Sequence, residues 1–90
     1  MLFMVIERFP AGSVPGIYRR LRDEGRSLPE GLVYVNSWIE ANFGRCFQLM
    51  ECDDARLLQE WILSWHDLFE IEIVPVVPSV EARAVVEPYL

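Results

Sequence analysis

Ninety residues with eight Lys or Arg against fourteen Asp or Glu, a formal net charge of −6, describe one small acidic domain. Its negative field repels phosphate backbones, and only Arg19, Arg20, Arg22 and Arg26 form a local basic cluster, so nucleic acid is not an expected partner. Hydrophobic residues at 52% against 24% charged, with mean hydropathy +0.18, exclude disorder and leave apolar surface for another chain to cover.

At the amino end, MLFMVIER has no basic leader and is too short for a signal core or a membrane span, so no membrane association and a cytoplasmic location are expected. The run from Leu2 to Arg8 predicts a first strand, closed by the breakers Phe9, Pro10, Ala11 and Gly12. Ser13 is placed to cap a helix with Pro15 in its first turn, and Val14, Ile17, Tyr18 and Leu21 recur at helical spacing. Gly25 is placed to stop it, and Pro29, Glu30 and Gly31 make a turn.

From Leu32 to Ala41 the sequence alternates as a strand, and after a loop of Asn42, Phe43, Gly44 and Arg45 the segment Cys46 to Glu51 returns as a third, giving a hairpin. Asp53 is placed to cap the next helix, in which Leu58, Trp61, Ile62 and Trp65 form an apolar stripe. Phe69 to Val77 predicts a fourth strand, with Pro75 marking an edge or strand end, and Ser79 to Val86 a short, weak helix. The order β-α-β-β-α-β predicts an α+β, ferredoxin-like fold with a four-stranded antiparallel sheet, here expected as a dimeric α+β barrel. Residues 1–78 are expected to form the domain, and 79–90 a C-terminal tail or short helix.

The more apolar side of each strand should face the helices: Leu2, Met4 and Ile6; Val33, Val35 and Ile39; Phe47 and Leu49; Phe69, Ile71 and Ile73. By elimination the uncovered face carries Phe3, Val5 and Glu7; Tyr34, Asn36 and Trp38; Cys46, Gln48 and Met50; Glu70, Glu72 and Val74. Such a mixed surface asks for a cover, and a twin subunit packed on it would close an interior, either as a bare dimer interface or as a chamber for a small molecule. Tyr34, Asn36, Trp38, Gln48 and Met50 are the candidate ligand-binding residues. Enclosure of Glu7, Glu70 or Glu72 would raise its pKa and make it a candidate general acid or base; the alternative for Glu70 and Glu72 is a solvated edge.

The segments MLFMVIERF, YRRLRDEGRSLPEGLVYVNSW and RCFQLMECDD, with Trp61, Trp65, Asp67, Leu68, Glu70, Pro75 and Val76 beyond them, resemble the DUF3303 family of small bacterial proteins across nearly the whole chain. The family carries no activity to transfer. It is similar in turn to the dimeric α+β barrel group, which includes small monooxygenases, isomerases, dehydratase-like enzymes and ligand-binding members, an analogy at the level of fold.

In EWILSWHDLF, residues 60–69, both tryptophans share the stripe of Leu58 and Ile62, which makes them core before they are a ligand box. His66 lies one residue off that stripe, either a surface or capping histidine or a proton-exchanging group at a cavity mouth. Cys46, Cys52, Asp53 and His66 lack metal-ligand spacing, and no glycine-rich phosphate loop is present, so no metal and no cofactor are expected. Cys46 reads as packing before nucleophile. The expectation is a homodimeric small-molecule-binding protein, in its catalytic form a cofactor-independent enzyme on a small apolar or aromatic compound. The alternative is a non-catalytic homo-oligomeric binding or assembly module.

Overall fold

A computed structural model describes residues 1–90. Four strands, β1 (Leu2–Arg8), β2 (Val33–Ile39), β3 (Arg45–Glu51) and β4 (Glu70–Val76), alternate with helices α1 (Val14–Glu24) and α2 (Arg56–Leu63), and α3 (Ser79–Val86) with a 3₁₀ turn (Glu87–Tyr89) ends the chain. Every neighbouring pair in the sheet is antiparallel and the order across it is β2-β3-β1-β4, the ferredoxin-like arrangement. Ile17 of α1 and Leu58 and Trp61 of α2 join Trp65, Phe3, Val5 and Met50 in one core, so both helices lie on the same face. No helix is long and apolar enough to cross a membrane.

The punctuation works for identifiable reasons, and twice not as expected. Gly25 ends α1 at φ 71°, a conformation that favours glycine, and its N–H reaches the Leu21 carbonyl at 2.9 Å. Ser13 stands at the N-cap position, but its hydroxyl turns back to the Pro10 carbonyl at 2.6 Å and caps nothing. Likewise Asp53 is not the cap of α2: the helix begins two residues later behind Ala55, and Asp54 accepts the Arg56 N–H at 3.0 Å instead.

The sorting of strand faces is corrected in three of the four strands. Phe3, Val5 and Glu7 of β1, and Cys46, Gln48 and Met50 of β3, are the buried helix-side residues, which puts Leu2, Met4, Ile6, Phe47 and Leu49 on the uncovered face. In β2 a bulge at Val35 breaks the alternation: Tyr34 pairs with Met50, but the next paired residue is Asn36, opposite Leu49. Tyr34, Ser37 and Ile39 therefore share the helix side with Met50, Gln48 and Cys46, while Asn36 and Trp38 share the open side with Leu49 and Phe47. Past the bulge, Ile39, Asn36 and Trp38 lie on the faces expected of them, and β4 follows the expected sorting throughout, with Ile71 and Ile73 opposite Glu7 and Val5.

Beyond the sheet, every residue from Val77 to Leu90 is exposed, so α3 buries no face. The molecule measures 49 × 31 × 17 Å, elongated by this arm.

Candidate functional site

A cavity of about 150 Å³ lies between the helices and the sheet. Its apolar wall is built by Ile17 and Leu21 of α1, Trp61 of α2, Trp65 in the turn after it, and Phe9 and Phe69 at the strand ends. These side chains arrive there because the stripes that glue the helices to the sheet do not close completely over β1 and β3. The aromatic part is rigid: the Trp65 and Phe69 rings stack at 5.9 Å, and Phe9 meets Phe69 edge-on at 5.5 Å.

Five polar residues face the same space: Glu7, Cys46, Gln48, Ser37 and Arg26. Glu7 and Gln48 are the buried polar residues of the protein, 7% and 4% exposed, both inward because of strand parity. Burial pushes the Glu7 carboxyl up to about 7, against the opposing pull of a hydrogen bond from the Cys46 thiol and the charge of Arg26. Burial also pushes the Cys46 thiol up to about 12, with the Glu7 charge adding to the effect, so at neutral pH it stays protonated and is no thiolate nucleophile. The Glu7 carboxyl, in contrast, is shifted well above the usual carboxylate range and toward neutral pH.

Arg26 owes its position to the two tryptophans. Its carbonyl accepts hydrogen bonds from Trp61 Nε1 at 2.9 Å and Trp65 Nε1 at 3.0 Å, so both indoles spend their one polar group on the same loop residue. Gly25 and Ser27 on either side have φ of 71° and 58°, the second rare for a residue with a side chain. The guanidinium lies 3.6 Å from the centre of the Tyr34 ring and Nη1 donates to Gln48 Oε1 at 3.1 Å. Tyr34 is held in turn by a 2.6 Å hydroxyl hydrogen bond with Ser37.

The structure divides the expected ligand-binding set. Tyr34, Gln48 and Met50 lie on the helix side, Met50 fully buried behind the cavity rather than on its wall. Asn36 and Trp38 are on the opposite face; the Asn36 side chain accepts the Ser37 N–H at 2.8 Å, and Trp38 is 50% exposed. Of the acid-base candidates, Glu7 is in the cavity. Glu72 is on the open face, paired with Arg8 at 2.9 Å with both side chains nearly half exposed. His66, exposed in the turn after α2, borders a separate open groove with Asp67 and Glu70. Arg26 and Ser37 entered no sequence-based candidate set; the available signal was a basic residue directly behind the glycine that stops α1. No group of three or more His, Cys, Asp or Glu is arranged to hold a metal ion.

The fold and cavity together define a ferredoxin-like α+β domain with a partly polar chamber between its sheet and its helices. The chain belongs to the DUF3303 family, described as a domain of unknown function, whose model matches residues 1–90. Comparison with curated proteins and with solved structures returns no match.

Proposed function

We propose that this protein binds a small, largely apolar or aromatic molecule in the cavity between helices and sheet, and that Glu7 exchanges a proton with it. The observation that carries this reading is a buried carboxyl, its pKa pushed by burial up to about 7, on the wall of a largely apolar chamber. An apolar cavity of about 150 Å³ takes a molecule the size of benzene, which limits the ligand to about one ring. The chemistry this supports is general acid-base catalysis.

The test is a set of single-ring compounds followed by ligand-detected NMR, with binders then incubated in D₂O. Exchange of a carbon-bound proton in the wild type, lost in Glu7→Gln while binding persists, is the expected result. Equal exchange in both proteins removes the proton-transfer role and leaves a binding module; absence of any binder removes the reading.

A homodimer accompanies this proposal, and on its own it is the assembly-module reading. Leu2, Met4, Ile6, Phe47, Leu49, Val74 and Val76 form an apolar sheet face that nothing in the chain covers, with Trp38 and Val33 half or more in water beside them. The same chain carries an arm, α3 and its 3₁₀ turn, whose Val80, Val85, Tyr89 and Leu90 are between 69% and 89% exposed. A second copy supplies cover for both surfaces by a two-fold, self-complementary contact. Sedimentation of the full chain should show a dimer, and loss of dimer on removing the residues after Pro78 would assign the arm to the interface.

A further inference from the structure

We propose that the cavity's ligand is an organic anion, a single-ring carboxylate or a similar oxyanion, and that Arg26 is the residue that reads its charge. The proposal rests on the reading of the cavity as a binding site and names the class of compound that fits it.

Five of the protein's arginines, Arg8, Arg20, Arg22, Arg45 and Arg56, are each satisfied by a carboxylate at 2.7 to 2.9 Å. Arg26 has none. It is half-buried, and its one side-chain hydrogen bond goes to the neutral amide of Gln48. A guanidinium has five N–H donors in a planar fork, so four of them are left without a side-chain or backbone acceptor beside a space that contains one carboxyl group. Glu7 is near enough to feel the Arg26 charge but forms no ion pair with it. Two groups that would collapse into a salt bridge if free to move are thus held apart across the cavity, Glu7 by the β1–β3 ladder and Arg26 by two indole hydrogen bonds and the Tyr34 ring.

The consequence is an uncompensated positive charge beside aromatic walls. In a site where water is partly excluded, such a charge is costly unless an anion joins it. A carboxylate matches the guanidinium fork in geometry as well as in sign. One of its oxygens would accept from Arg26 while the other accepts the proton of neutral Glu7, and the ring would lie against Trp61 and Trp65. The left-handed Ser27 fits the same picture, because backbone strain tends to persist where surrounding structure fixes a functional group.

Benzoate and benzamide, alike in shape and different in charge, are the probes, with dissociation constants measured by ligand-detected NMR at pH 6. Benzoate should bind the wild type about tenfold tighter or more, the scale of one charge-assisted hydrogen bond. Raising ionic strength from about 0.02 to about 0.5 M should weaken benzoate and leave benzamide unchanged. The preference should vanish in Arg26→Gln and return in part in Arg26→Lys. Benzamide binding as tightly as benzoate, or a preference that survives Arg26→Gln, overturns the anion assignment while leaving the cavity a binding site. Failure of both probes on the wild type overturns both, and the two wild-type measurements decide the matter even if a variant does not fold.

Discussion

The two faces of the sheet each depart from ordinary expectation. Under the helices, beside Phe3, Val5 and Met50 of the core, stand Glu7, Cys46, Gln48 and Ser37; on the side with no cover stand Leu2, Met4, Ile6, Phe47 and Leu49. A domain this small has little stability in surplus, so enclosing a carboxyl that burial pushes up to about 7 is a cost that structure alone does not justify. An uncovered apolar sheet is a second cost of the same kind. The proposed ligand would account for the polar residues inside, and the proposed second copy for the apolar residues outside. Each of the following substitutions breaks or sharpens that contrast.

The largest effect belongs to the tightly packed part of the helix side. Met50 is fully buried and lies outside the cavity wall, so Met50→Ala leaves a void that neighbours fill only in part and should cost about 2–5 kcal/mol in chemical denaturation. A cost near zero would mean that the helices do not pack on this face.

Glu7→Gln should act in the opposite direction and depend on pH. The carboxyl rises from its ordinary 4.5 to about 7 on folding, so between those values the folded chain holds the proton more firmly than the unfolded one. Glu7's contribution is therefore most favourable below about 4.5, falls as pH rises, and is fully lost above 7. Relative to the wild type, the amide should be nearly neutral at pH 4.5 and stabilising by ~3 kcal/mol at pH 8. The exposed pairs change with pH in the reverse sense: the Arg20 guanidinium holds Asp67 below its usual range, and Arg45 does the same for Glu40, so their support is lost as pH falls. Equal denaturation curves for wild type and Glu7→Gln at pH 8 would show that the carboxyl is solvated.

Element order was readable from local chemistry, and the reason the faces were not lies in particular residues. Breakers at Pro10 and Gly12, the stop at Gly25 and the turn at Pro29 to Gly31 mark boundaries whatever the tertiary structure. Face assignment depends instead on which side of a strand is greasier, and the inward Glu7, Cys46 and Gln48 lower the score of the true core side. In β2 the bulge at Val35 reverses parity midway, which no period-two pattern contains. β4 was legible because Glu70 and Glu72 alternate cleanly with Ile71 and Ile73. The stripe of Trp61 and Trp65 was legible as core, but the convergence of both indoles on the Arg26 carbonyl joins residues 35 and 39 positions apart, beyond any local pattern. For the site, then, Glu7 and Gln48 were named on the wrong face, and what the structure shows of them is their enclosure and, for Glu7, the pKa rise that enclosure brings.

Trp65→Phe tests that convergence at a smaller scale. The ring still packs against Phe69, but one of the two donors to the Arg26 carbonyl is gone while Trp61 keeps the other. Loss of a single hydrogen bond should cost about 1 kcal/mol, and the benzoate preference should shrink without vanishing. An unchanged preference would mean that Arg26 is positioned by Tyr34 and Gln48 alone.

The smallest effect on the isolated chain should come from the open face. Trp38 pairs with Phe47 on the open face, half in water, and is not a member of the buried core cluster, so Trp38→Lys should shift the stability of dilute monomer by no more than about 0.5 kcal/mol. On association the same substitution should be severe, because it sets a charge on a surface that a second copy must desolvate. Sedimentation at rising protein concentration separates the two quantities: dimer in the wild type and monomer in Trp38→Lys, with unchanged denaturation midpoints at low concentration. If the variant still dimerises, the apolar face is not the contact, and the exposed arm from Ser79 to Leu90 becomes the element to truncate next.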